Sequence, residues 1–169
     1  MKDANFDISF EKIIEANKAS IYRICRIYAV EPMEPQDLFQ EVIFHIWKSF
    51  GAYKGDSKVS TWIYRIAINV CIRYKLNLDK HNLNTSKLSA ISFEPKADQE
   101  DNDKEERFLA LRSCIQNLKE ANKTIVVLHL EGCGHKEIAD VTGLTENHVA
   151  VKMKRIRKTL FECISTKLK

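Results

Sequence analysis

Asn147, His148, Val151, Lys154, Arg155 and Lys158 follow one another at intervals of one or three residues. At about 100° per residue such positions gather on one side of a helix. Amide, imidazole, ammonium and guanidinium donors with a single aliphatic contact are the groups that meet base edges and phosphates in the major groove of DNA. The opposite side collects Val149, Met153, Ile156, Leu160 and Ile164, an apolar stripe suited to a core. The competing reading of the same charges is a solvated basic helix that touches no nucleic acid.

The residues just before this helix fit the task of presenting it. Lys136 to Val141 reads as a short helix, Gly143 supplies a left-handed turn, Leu144 packs inward and Thr145 caps the helix that follows. A small Ala139, a glycine four residues later and an inward Val149 six residues after that let two helices cross closely, as in a helix-turn-helix.

Other reactive side chains form no comparable pattern. His129, Cys133 and His135 are metal-ligand types within a short stretch, but spacing offers no fourth ligand. Cys25, Cys71, Cys114, Cys133 and Cys163 lie far apart with no CxxC pair, which predicts neither a zinc ribbon nor a disulfide framework and points to a reducing cytoplasm. No nucleophile motif, glycine-rich phosphate loop or HExxH is present, so no catalytic residue, metal or cofactor is expected and an enzyme has little support.

With 44% apolar residues, 30% charged, five Gly and three Pro, composition disfavours disorder and a turn-rich β fold, leaving an all-α protein. The amino terminus has no apolar run and no stretch is long enough to span a bilayer, so neither a signal peptide nor a membrane span is predicted. Net charge is only +4, yet it is unevenly placed. Lys48 to Lys80 and Thr145 to Lys169 are basic, and Glu94 to Glu106 between them is acidic.

Helical periodicity is strong in the first half. One stripe runs Phe10, Ile13, Ile14, Ala16, Ile21, Ile24, Cys25, Tyr28, and a second, beginning near Asp37, runs Leu38, Phe39, Val42, Ile43, Ile46, Trp47, Phe50 before Gly51. After a loop with Gly55 and Asp56, Ser60 or Thr61 can cap a third helix with the stripe Trp62, Ile63, Ile66, Ala67, Val70, Cys71, Tyr74. The sequence then turns polar and loses periodicity, which predicts a linker at 77–103 between two small helical domains, 1–76 and 104–169. In the second, helical spacing returns in Phe108, Leu111, Cys114, Ile115 and Leu118, then from Ile125 to Leu130.

Asp37 to Val42, Phe50 to Gly55 and Ser60 to Asn69, read in order, resemble region 2 of the extracytoplasmic-function (ECF) subfamily of bacterial sigma-70-family RNA polymerase sigma factors. Leu130-Glu131-Gly132, Lys136 to Ala139 and Val149 to Arg157 resemble region 4. The resemblance implies a protein that binds core RNA polymerase, places it at promoter DNA and helps to open the duplex, region 2 acting on the minus-10 element and region 4 on the minus-35 element. It further implies that Asp37, Gln40 and Glu41 face the polymerase; the alternative is that Asp37 and Glu41 only favour a helix amino terminus. Tyr53, Lys54, Asp56 and Lys58 would receive an unstacked base, and Arg65, Asn69 and Arg73, spaced at four, would hold the backbone of the same strand. Trp62 and Tyr64 are candidates for stacking on separated bases, with a core role the stronger alternative for Trp62. Asn147, His148, Val151, Lys154, Arg155 and Lys158 would read the minus-35 element. Ala150 and Val151 stand where many relatives carry polar or basic residues, which leaves the base choice open.

The resemblance also implies a separate anti-sigma factor as a candidate partner. A stand-alone helix-turn-helix regulator, an interaction protein with an acidic partner, and a small metalloenzyme remain the competing readings, and the first leaves the amino-terminal half unexplained.

Overall fold

A computed structural model of the chain describes residues 4–82 and 102–169. Among them every regular element is a helix, in the order α1 (Ala4–Tyr28), α2 (Pro35–Ser49), a 3-10 turn (Phe50–Ala52), α3 (Val59–Asn82), α4 (Asn102–Gln116), α5 (Glu120–Leu130), α6 (His135–Thr142) and α7 (Glu146–Lys167). The chain divides into two compact units, Met1–Leu78 and Asp79–Lys169.

The core of the first unit forms where the apolar stripes of three helices meet. Ile21, Ile24, Cys25 and Tyr28 come from α1, Leu38, Val42 and Ile46 from α2, and Ile63, Ala67, Ile68, Val70 and Cys71 from α3. Removing these side chains from water is the main force closing the bundle. Pro35 opens α2, where its missing N–H costs no intrahelical bond, and Asp37 sits in the first turn beside the positive end of the helix.

The stripes depart from expectation at their edges. Ala16 is exposed and Asn17 is buried in its place, with its Nδ2 donating to the Ile13 carbonyl at 2.8 Å and its Oδ1 lying 3.5 Å from the Tyr64 hydroxyl on α3. A polar residue is tolerated inside because its hydrogen bonds are met. Trp47 is 40% exposed and Tyr74 is also exposed, so neither belongs to the core. Ser60 and Thr61 do not cap α3, because the helix already begins at Val59. At its other end α3 continues to Asn82, so the start of the expected linker is helical, and its last two residues, Asn102 and Asp103, already belong to α4; 83–101 lie outside the described residues.

In the second unit the core is made by Ala110, Cys114 and Ile115 of α4, Ile125 to Leu128 of α5, Cys133 from the turn after α5, Ile138 and Ala139 of α6, and Val149, Met153 and Ile156 of α7. Lys123 is also buried there, its Nζ 3.1 Å from Glu120 Oε1. One covalent link corrects the expectation of free thiols throughout: Cys114 on α4 and Cys163 on α7 form a disulfide. The packing of α4 against α7 brings their Cα atoms to 6.0 Å although 49 residues separate them in sequence, a pairing that local spacing does not encode. Cys25, Cys71 and Cys133 are free and buried.

Candidate nucleic-acid interface

The turn between α6 and α7 follows from a few local choices. At the start of α6 the Gly134 amide donates to Glu137 Oε2 at 2.9 Å, satisfying one of the amides that a helix amino terminus leaves unpaired. At its end Gly143 adopts φ of 73°, the left-handed conformation that costs glycine little, and its N–H donates to the Ala139 carbonyl at 2.9 Å. The chain then turns into α7 at Thr145, whose Oγ1 accepts from the His148 N–H at 3.2 Å. Gly143 and Thr145 therefore have the predicted roles.

The two sides of α7 separate as the spacing predicts. Val149, Met153 and Ile156 are buried. Asn147, His148, Val151, Lys154, Arg155 and Lys158 are all exposed, and Val151 keeps 41% of its surface open amid the donors. They cover an arc of roughly 120°, the span of one helix face entering a groove. Leu160 and Ile164 are only half-buried, so the apolar stripe weakens toward the end of the helix.

His129, at the end of α5, lies beside this helix, with Arg157 Nη2 3.2 Å from its Nε2. Burial, then the Arg157 charge and His135, hold its pKa below the ordinary imidazole value. Cys133 is buried, and among the described residues no three His, Cys, Asp or Glu side chains are grouped to hold a metal ion.

The first unit presents two further surfaces. On α2, Asp37 and Gln40 are exposed and Glu41 is half-buried, with Glu41 Oε1 3.3 Å from His45 Nε2. The same face carries Phe44, 52% exposed, and beside it Trp47, their rings stacked with centroids 6.4 Å apart. Two large apolar rings left open together make this face a candidate interaction surface. Periodicity alone assigned Trp47 inward and gave Phe44 no role; the signal available was that Phe44 lies off the Leu38-Val42-Ile46 line.

The second surface is the loop between α2 and α3. Tyr53 leans on Trp62, centroids 5.1 Å apart, and its hydroxyl donates to the Ser57 carbonyl, so the loop is folded on itself. Trp62 also lies near Phe50, at 6.5 Å, and is half-buried, which leaves part of its ring accessible while the rest supports the loop. Lys54, Asp56 and Lys58 are exposed around this support, and Gly55 takes φ of 80° at the bend. Arg65, Asn69 and Arg73 are exposed on α3 at successive turns. Tyr64 is only 7% exposed, which removes it from the candidates for base stacking.

Comparison with known proteins follows the same division. Sigma-70 region 2 matches residues 13–80 and a Sigma-70 region 4 model matches residues 108–160. The chain is 23% identical to the RNA polymerase sigma-H factor of Pseudomonas aeruginosa, covering 95% of this chain and 89% of that one. It is 22% identical to the ECF RNA polymerase sigma factor SigM of Mycobacterium tuberculosis, over 90% of this chain and 75% of SigM. Among solved structures, the sigma factor RpoE of Bartonella quintana, crystallised with the anti-sigma factor NepR, has a TM-score of 0.75 at 13% identity, covering 93% of this chain and 97% of that one.

Proposed function

The chain belongs to the extracytoplasmic-function subfamily of the sigma-70 family, and from that membership we propose that it binds core RNA polymerase and directs it to promoters through both units. The observation that carries the reading is the order of the two matched regions, combined with a helix-turn-helix whose second helix turns its donors outward.

In this reading α7 enters the major groove at the minus-35 element. Asn147, His148 and Arg155 meet base edges, Val151 contacts a thymine methyl, and Lys154 and Lys158 hold phosphates. The polymerase is held by α2 through Asp37, Gln40 and Glu41, and Phe44 and Trp47 extend that contact with an apolar anchor of the kind that dominates binding energy. At the minus-10 element Tyr53, Lys54, Asp56 and Lys58 receive a base drawn from the stack, and Arg65, Asn69 and Arg73 follow the exposed strand.

Opening needs no bond cleavage by this chain: binding of the separated strand offsets the loss of base pairing, so the protein is a non-catalytic initiation factor. Action beside the polymerase puts the chain in the cytoplasm; among the described residues no helix is long and apolar enough to cross a membrane. An anti-sigma factor is a further partner, supported by the fold shared with RpoE.

Run-off transcription of fragmented genomic DNA by core polymerase, with and without the chain, tests the proposal. New defined start sites only in its presence are expected. Coelution with core but no new starts would overturn the initiation role, and failure to coelute would leave a stand-alone DNA-binding regulator.

A further inference from the structure

The disulfide joins two helices that packing holds unequally. Among the described residues of α4 three are buried, Ala110, Cys114 and Ile115, while Phe108 and Leu109 of the same helix are exposed. On α7 the buried anchors end at Ile156, and from Arg157 to Lys167 every residue is exposed or half-buried. The second half of α7 therefore depends on α4 and on the Cys114–Cys163 bond for its place, and Lys158 of the DNA-facing set stands in that half.

The two sulfurs also differ in access. Cys114 is 2% exposed, whereas Cys163 is half-buried. The buried pair Cys25 and Cys71 makes a contrast, because a hydrogen bond from one thiol to the other, together with burial, drives the Cys71 pKa far above the usual thiol range and leaves it inert.

We infer that Cys114 and Cys163 form a dithiol–disulfide switch that clamps the end of the DNA-reading helix to α4 and thereby tunes promoter binding. The oxidant is a low-molecular-weight disulfide. The Cys163 thiolate attacks one of its sulfurs, forming a mixed disulfide and releasing one thiolate. The Cys114 thiolate then attacks the Cys163 sulfur, closing the protein bond and releasing the second thiolate. The protein loses two electrons and its two thiol protons, the small disulfide gains them and becomes two thiols, and an excess of those thiols runs the sequence backward. Oxidised, α7 is held along its length. Reduced, α4 and the second half of α7 loosen and Lys158 loses its fixed position.

The DNA readout rests on the promoter-binding role of α7 proposed above; the thiol and cleavage readouts do not. The full chain is equilibrated in buffers of oxidised or reduced glutathione. Thiols are counted by maleimide labelling after denaturation, cleavage within 102–116 is followed by limited proteolysis, and binding of the chain with core polymerase to a mapped promoter is measured in each state. The expected result is three reactive thiols when oxidised and five when reduced. On reduction, cleavage in α4 should rise and promoter affinity should fall, each by at least about fivefold.

A protein with Cys114→Ala and Cys163→Ser should lose this response, and the wild-type comparison stands even where that variant folds poorly. Five thiols under oxidised glutathione would overturn the switch, as would three thiols with unchanged cleavage and affinity. If core polymerase and the chain initiate nowhere in either state, the promoter reading falls, and the clamp then stands or falls on the thiol count and cleavage alone.

Discussion

Arg155 and Ile156 are neighbours in sequence about 100° apart on α7, one on the exposed face and the other only 2% exposed, and their alanine variants should therefore fail in different assays. Arg155→Ala removes a guanidinium from the outward face and leaves the core intact, so stability should change by less than about 0.5 kcal/mol. If Arg155 meets a base edge, promoter binding should weaken by about 1 to 3 kcal/mol, roughly 5- to 150-fold, with the loss greatest for the correct sequence. Ile156→Ala removes buried carbon between α7 and the rest of the second unit and leaves a cavity, which should cost about 2 to 5 kcal/mol. For a unit of this size that lowers the melting temperature by at least about 8 °C.

Circular dichroism melts and fluorescence anisotropy of core polymerase with each variant on a promoter mapped by run-off transcription separate the two effects. Below its own melting transition, Ile156→Ala should bind DNA close to normally. Unchanged promoter affinity in Arg155→Ala would refute the assignment of this face to base reading, and a melting loss in Arg155→Ala equal to that of Ile156→Ala would refute the division of faces itself.

Trp47→Ala should reduce affinity for core polymerase by at least about 2 kcal/mol, near 30-fold, measured by competition with labelled chain, because a stacked and exposed aromatic pair is the material of an interface anchor. Affinity is to be compared below the variant's own melting transition, because the ring, though 40% exposed, still buries apolar area whose loss lowers stability. Gly143→Ala should destabilise the second unit by about 1 to 2 kcal/mol in a denaturant titration: a Cβ there meets nothing within 4 Å, so the cost is that of φ at +73° alone. For His129 the folded state favours the neutral ring through burial, Arg157 and His135, so its folded pKa lies below the ordinary 6.5. The stability this contributes is present above that value and is lost as pH falls below it and the ring must charge. His129→Gln should flatten that part of the melting-temperature profile, and an unaltered profile would assign the pH dependence to other groups.

The α7 face was legible in the sequence because every decision that makes it is local. Gly143 supplies the turn, Thr145 caps the helix three residues from the amide it accepts, and a strongly apolar stripe at Val149, Met153 and Ile156 leaves only one side to face outward. The same elimination worked for Leu38, Val42 and Ile46 on α2 but failed at the next residue, Trp47, because whether the edge of a stripe is covered depends on what its neighbours reach.

Longer-range decisions were less visible still. Asn17 is inside because Tyr64, 47 residues later, arrives beside it, and Cys114 finds Cys163 only after α4 has packed on α7. A site of exposed side chains is thus most readable on a helix whose buried face is densely apolar, since exposure is inferred there from its complement. That condition holds on the first half of α7 and lapses after Ile156, the stretch where a covalent link to α4 reinforces a thinner packing.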